Sequence, residues 1–250
     1  MARRATRITQ ERDKGGIVLV LDAGDSLVGD QEPARKTKGQ SSVALMNKLG
    51  YDAVALGPRD LTLGVAALQE RIKEAKFAVL SANAVPLRNG SASGEKLAEP
   101  YVLRESGGHS LALAGLSGGQ GTPEIAVRDP LETAQALLNE LDGQADVIIL
   151  LSHAGDQIDR QIAAVVPGID LIVSGGGPML AEPWRSPQTG TLVVRADQAS
   201  AGHAGRMLGI IQLSIDSSGK VVKHAWQRVS LGPEIADDPA MTTWVQQQLK

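Results

Sequence analysis

Cysteine is absent from this chain, which excludes disulfides and thiolate metal sites and leaves the redox compartment open. Aromatics are scarce as well: one Phe, two Tyr and three Trp. A core for 250 residues must then come from Val, Ile, Leu and Ala, the composition that strands buried on both faces prefer. No apolar run approaches the roughly 18 residues that a membrane span needs. The N-terminus also lacks the apolar centre of a signal peptide. As written the chain reads as soluble and cytoplasmic; a true start upstream of Met1 would leave room for an extracytoplasmic location. Long runs of one charge are missing too. The formal net charge is −3, and the one basic cluster, Met1-Ala2-Arg3-Arg4-Ala5-Thr6-Arg7, fits a solvated helix start. A nucleic-acid polymer therefore has no electrostatic footprint here.

What is present alternates. Ile17-Val18-Leu19-Val20-Leu21 is a continuous apolar run that ends in Asp22-Ala23-Gly24-Asp25, a buried strand delivering a carboxylate at its end. Residues 30–40 are polar and read as a loop. Val43, Leu45, Met46 and Leu49 have helical spacing, and Gly50 stops them. Short strands are expected at 53–56 and 78–80, with a helix at 63–75 between them. Residues 86–94 read as a turn-rich loop, and Gly107-Gly108 as the turn of a hairpin. An amphipathic helix at 130–141 precedes a strong strand at 146–151 that ends in Ser152-His153. A helix at 158–166 and a strand at 169–173 follow, then the loop Ser174-Gly175-Gly176-Gly177-Pro178. Residues 191–195, 207–215 and 221–229 alternate like antiparallel strands, with a turn at Asp216-Ser217-Ser218-Gly219, and a last helix begins near Pro239. Strands alternating with helices and then with hairpins suggest a mixed sandwich. Residues 1–250 read as one domain, with no repeat or low-complexity linker.

In α/β folds ligands sit at strand C-termini, so Asp25, His153 and the glycine loops are the positions to weigh. Alone, an acidic residue in a glycine turn is a turn former, and a lone His at a strand end is structural or solvated. Their order changes this. Leu-Asp-Ala-Gly-Asp (21–25) is followed by Met-Asn-x-Leu-Gly-Tyr-Asp-Ala-Val-x-Leu-Gly (46–57). Leu-Ser-His-x-Gly (151–155) and Pro-Gly-Ile-Asp-Leu-Ile-x-Ser-Gly (167–175) come next. Together they resemble the catalytic domain of the 5′-nucleotidase family of calcineurin-like metallophosphoesterases. Ser81-Ala82-Asn83, residues 205–213 and residues 233–244 extend the resemblance over nearly the whole chain.

The resemblance implies a metallo-dependent phosphatase fold, a four-layer α/β/β/α sandwich of two mixed sheets. It also implies a pair of divalent metals, Mn, Zn or Fe. Asp25 matches the carboxylate that bridges both metals, and His153 matches a His ligand of the second. Other family positions are altered. The metal-binding Asn and the phosphoryl-steadying His of Gly-Asn-His-Glu/Asp fall on Pro58 and Arg59, with Asp60 in the acidic position. The family's Gly-His-x-His loop falls on Gly175-Gly176-Gly177-Pro178, and the remaining histidines, His109, His203 and His224, lie in no matching motif. The opening Asp-x-His has no counterpart, so the first strand is missing from the expected sheet, and so is the family's C-terminal nucleotide-binding domain.

Two donors of about seven do not hold a dinuclear site, so no cofactor is expected. Arg59 cannot act as a general acid near neutral pH. It is either a surface arginine paired with Asp60 or a neighbour, or an anion ligand oriented by Asp60, with the amides of residues 174–177 as a nest. The reading is a catalytically degenerate phosphoesterase-like domain that acts in binding or assembly, with a phosphorylated small molecule or a protein as partner. The alternative is an active metal-dependent hydrolase of nucleotides or other phosphoesters. Two other patterns are set aside. Leu116-Ser117-Gly118-Gly119-Gln120 spells an ABC-ATPase signature, but the chain has no phosphate-binding Gly-x-x-x-x-Gly-Lys. Ser152, His153 and Asp156 are no triad, because neighbours on a strand point opposite ways.

Overall fold

A computed structural model describes residues 1–29, 32–197 and 205–248. Asp30 and Gln31, which open the loop read at residues 30–40, lie outside this set, and so does His203. Helix α1 (Ala2–Asp13) leads into β1 (Leu21–Asp22), α2 (Gln40–Leu49) and β2 (Ala53–Ala55). A single turn, α3 (Pro58–Leu61), precedes α4 (Gly64–Glu74) and β3 (Ala78–Leu80). Five strands follow: β4 (Ala84–Arg88), β5 (Ser91–Ala92), β6 (Tyr101–Ser106), β7 (His109–Leu116) and β8 (Ile125–Val127). Next come α5 (Pro130–Leu141), β9 (Val147–Ser152), α6 (Asp156–Val165), β10 (Leu171–Ser174), β11 (Trp184–Arg185) and β12 (Leu192–Val194). The hairpin β13 (Met207–Ile215) and β14 (Val221–Ser230) precedes α7 (Pro239–Gln248).

Local chemistry accounts for the boundaries. Pro130 occupies the first turn of α5, and the Asp129 carboxylate caps it by accepting from Glu132 N at 2.9 Å. Losing such a cap costs about 1 kcal/mol. Helix α2 ends where Gly50 turns left-handed, at φ 68°. Acidic Asp156 and Asp159 lie in the first turn of α6, where they favour the helix dipole.

Three strands, β1-β2-β3, form a parallel sheet, and six, β11-β12-β10-β9-β7-β6, form a mixed one. Their facing sides enclose one apolar layer built of Ala53, Ala55, Leu80, Leu111, Leu113, Ile149, Leu171 and Leu192. The outer face of the small sheet packs through Val54, Leu56 and Val79 on α1, α2, α4 and α7. The outer face of the large sheet packs through Ala114, Ile148, Leu150 and Ile172 on α5 and α6. Helix, sheet, sheet, helix is therefore the layering, as the sequence implies. Each layer also receives one tryptophan at its margin: Trp244 on α7, Trp184 beside α6, and Trp226 between the sheets.

Three local expectations change. The apolar run at residues 17–21 is strand only from Leu21, with Ile17 exposed and residues 18–20 half-buried. Residues 191–195 read as antiparallel, but β12 runs parallel to β10 and is buried throughout; only its other neighbour, β11, is antiparallel. A three-residue strand buried on both faces carries no alternation to read. Residues 86–94 are not simply a loop. β4 and β5 pair there across Asn89 and Gly90, both at positive φ. Among the described residues no helix is long and apolar enough to cross a membrane.

Candidate functional site at the strand ends

The C-terminal ends of β1, β2, β7, β9 and β10 bring five loops together, and the first to consider follows β1. Asp25 is held at φ 59°, a left-handed conformation that a non-glycine residue adopts at some strain. What fixes it is Asp60. That carboxyl is fully buried and accepts from the main-chain N–H of Asp25 (2.9 Å), Leu27 (2.9 Å), Val28 (3.3 Å) and Gly57 (2.9 Å). Burial pushes its pKa up to about 7; the N–H donors pull the other way, and the nearby Asp25 charge adds to the rise. Asp60 thus clamps the loop after β1 to the turn after β2. It does not orient Arg59, as the sequence suggested. Neighbours on a helical turn diverge, and Arg59 faces Asp25 instead, its Nε 3.8 Å from Oδ2 and its N–H donating to Oδ1 at 2.8 Å.

His153 comes from the end of β9 and meets Asp25, Nε2 lying 3.3 Å from Oδ2. Its Nδ1 is 2.8 Å from the carbonyl of Ala23. Burial lowers the imidazole pKa, but the hydrogen bond and charge of Asp25, the Ala23 carbonyl and the Asp60 charge together raise it. Asp25 is pushed up by burial and brought below its ordinary value by His153 and Arg59. Both shifts favour the same state, in which the protonated imidazole donates to the Ala23 carbonyl and to the Asp25 carboxylate.

Glycine lets the backbone close around this pair. A β-carbon on Gly175 would collide with His153 Nδ1 and come within 2.5 Å of the Ala23 carbonyl. One on Gly118 would strike the His153 carbonyl, and one on Gly57 would strike the Asp25 carboxylate. Pro58 stands against Gly119. Of the amides expected to form an anion nest, that of Gly175 already donates to the Ser152 carbonyl at 2.8 Å.

Two polar networks brace the loops. Ser81, Asn83 and Ser117 join the ends of β3 and β7: Asn83 accepts from Ser117 N at 2.8 Å, and Ser117 Oγ donates to the Leu56 carbonyl at 2.7 Å. The Leu116–Gly119 pattern is therefore a strand end with a buried serine. The second network went unnoticed in the sequence. Arg195, 1% exposed, donates to Asp156 Oδ1 (2.9 Å), to the Pro178 carbonyl (2.6 Å) and to Ser174 Oγ (2.6 Å from Nη2). Ser174 and Ser152 both donate to the buried carboxyl of Asp159. Ser152 thus turns away from His153, and Asp156 serves Arg195 and Arg160, so no triad exists. A signal was present: Asp159 falls on the apolar stripe of α6 with Ile162 and Ala163.

Burial pushes Asp159 up to about 6, against the Ser152 and Ser174 hydroxyls and the Arg195 charge. A carboxyl whose folded pKa lies above its unfolded value opposes folding once ionised. Its contribution is most favourable below the unfolded pKa near 4 and is lost as pH rises toward 6. Asp159→Asn should therefore gain stability relative to the native chain between pH 4 and pH 7, by on the order of 2 kcal/mol. Denaturant midpoints at both pH values measure this; a difference independent of pH would sink it.

The layers and the loop cluster at the strand ends define the metallo-dependent phosphatase fold. The chain belongs to the 5′-nucleotidase family of calcineurin-like metallophosphoesterases. It is 31% identical over 264 residues to a snake venom 5′-nucleotidase of Naja atra, covering 96% of this chain and 49% of that protein. The crystal structure of a 5′-nucleotidase precursor from Thermus thermophilus superposes with a TM-score of 0.84 at 27% identity, over 99% of this chain and 52% of that one. A calcineurin-like phosphoesterase from Bacillus subtilis, at 23% identity, shares the fold with a TM-score of 0.80 over 100% of this chain and 88% of its own. No protein-family model matches. The chain spans about half the length of the curated relatives it matches.

A metal pair is implied by that family, and the donors present do not fit one. Among the described residues no three His, Cys, Asp or Glu side chains lie together as a metal site. Asp25 and His153 engage each other. Pro58 offers no donor, and residues 175–178 carry none in their side chains.

Proposed function

We propose that residues 1–250 are a single phosphoesterase-fold domain that binds rather than hydrolyses, its ligand a phosphate-bearing small molecule or a protein partner. The observation that carries this reading is the closed Asp25–His153 pair. The two donors that match the family's ligands satisfy one another, and glycine backbone fills the space around them. Removing a single supporting partner of a metal ligand typically costs 10–100-fold in affinity or activity. Replacing most of the ligands themselves costs far more. Arg59 supports an anion role: its side chain is 52% exposed at the mouth of the site, beside Asp25.

Metal analysis and an assay of nitrophenyl phosphate and AMP with added manganese test the proposal together. The expected result is less than one metal per chain and no turnover above a His153→Ala control. Two Mn, Zn or Fe per chain would overturn it. Phosphate titration tests the anion role; Arg59→Ala should weaken binding by about tenfold, the loss of one charge-assisted contact. Equal affinity in both proteins removes Arg59 from the site. The second reading, an active metal-dependent hydrolase of nucleotides or other phosphoesters, is favoured by the 31% identity to a protein named a 5′-nucleotidase, and the same assay decides it.

A further inference from the structure

The two edges of the large sheet differ. At one edge, β11 has two residues and stands between Pro183 and Pro187, which blunts it against further pairing. At the other, β6 has six residues, no proline within it and no register shift along β7. Gly115 N donates to the Pro100 carbonyl, which fixes the ladder: Val102, Arg104 and Ser106 bond to β7. Tyr101, Leu103 and Glu105 therefore turn their main-chain N–H and C=O away from β7. No strand among the described residues pairs with that side. At the middle of this edge Leu103 is 46% exposed.

A strand complements a copy of itself when pairing about one central residue sets no like charges directly opposite. β6 meets that condition about Leu103. Antiparallel to a second β6, Leu103 opposes Leu103, Tyr101 opposes Glu105 and Val102 opposes Arg104. Tyr101, Leu103 and Glu105 share the outer face, with Tyr101 against the α5–α6 layer, so the two leucines cover each other there. Val102 and Arg104 share the inner face, and the Arg104 charge is met by Asp52 at 3.2 Å. Every outward residue falls in a hydrogen-bonded pair, so each pair exchanges two main-chain bonds. The same register carries the Gly107-Gly108 turn to Glu99 and Ala98 of the other copy. An open apolar pocket of about 270 Å³ lies there, lined by Phe77, Val79, Leu97, Ala98 and Val102. Gly108 has open space where a side chain would stand, so the bare turn can close on the mouth of the pocket.

We propose that two copies of this chain pair through β6, their large sheets joining edge to edge about a two-fold axis at Leu103. The contact is isologous, the same patch serving both partners. It is also limited to one strand edge and the turn beside it. Stable interfaces bury roughly 1,200 Å² or more, so this dimer belongs to the micromolar range rather than the nanomolar. The axis stands normal to the sheet and reverses strand direction. The candidate sites, at the C-terminal ends of β9 and β10, therefore point opposite ways and stay open in both copies. Pairing at β6 and binding at those sites can fail separately.

Sedimentation of the intact chain over a range of concentrations is the first readout, and a dimer in equilibrium with monomer is expected. Leu103→Asp necessarily sets a carboxylate against its own copy, and it should weaken dimerisation at least tenfold. Cysteine supplies a second readout. The chain has none, so Leu103→Cys carries the only thiol. A short bifunctional thiol reagent should link Leu103→Cys into dimers at least tenfold faster than Val165→Cys, a position outside β6 that is 52% exposed. A chain that stays monomeric up to about 1 mM would overturn the proposal. A dimer that Leu103→Asp leaves unchanged would also overturn it, and so would equal linking of the two cysteine variants, since either result places the contact elsewhere.

Discussion

Asp60→Ala should unfold the site before it unfolds the protein. Four main-chain N–H groups, from Asp25, Leu27, Val28 and Gly57, lose their acceptor at once. Each buried donor left unmet costs about 1–3 kcal/mol, though relaxation and water recover part of that. The net loss should be about 3–5 kcal/mol, a large share of the 5–15 kcal/mol that domains possess. Asp25 has most to lose, since its φ of 59° persists only while its surroundings hold it. Asp60→Asn keeps one carbonyl oxygen and should lose about half as much. Thermal unfolding of both variants, with the imidazole resonances of His153 as a local probe, tests this. Alanine and asparagine variants within 1 kcal/mol of the native chain would show that Asp60 is not the clamp.

Arg195→Leu should be comparably severe for a different reason. The guanidinium is buried among Asp156, Ser174 and the Pro178 carbonyl, with Asp159 3.7 Å away. Removing one partner of a buried ion pair strands the other and typically costs about 3–5 kcal/mol. In a chain of this size that lowers Tm by roughly 10 °C. Neutralising the stranded carboxyl should then help: Asp159→Asn in the Arg195→Leu background is expected to recover 1 kcal/mol or more, a coupling that a double-mutant cycle isolates. Strictly additive effects would mean that the two groups do not sense each other.

How much of this the sequence disclosed depended on the kind of interaction. Strands at 53–55, 147–152 and 171–174 are short apolar runs closed by glycine or polar residues, and such runs survive without context. That Asp25 and His153 belong to one site was legible only because four motifs occur in order; across 128 positions neither residue identifies the other, and their direct contact was not legible. The roles of Asp60 and Arg195 were not legible. Asp60 reads as a partner for adjacent Arg59, yet its ligands are main-chain amides, which every residue possesses and no sequence marks. Arg195 is only the last residue of a stretch read as a strand, and nothing in the sequence shows that Ser174 and the Pro178 carbonyl close on it. The direction of β12 was also lost, because three buried residues show the same pattern in either orientation.

The thin supply of aromatics has an optical consequence. One tryptophan stands at the margin of each apolar layer: Trp244 with the α1–α7 helices, Trp184 against Arg160 beside α6, and Trp226 between the sheets. Variants that keep one indole at a time would each report a single layer by emission. Three superimposed melting curves would mean that the sandwich yields as one cooperative unit. An earlier transition at Trp226 would mean that the hairpin peels away first, while the two helical layers still stand.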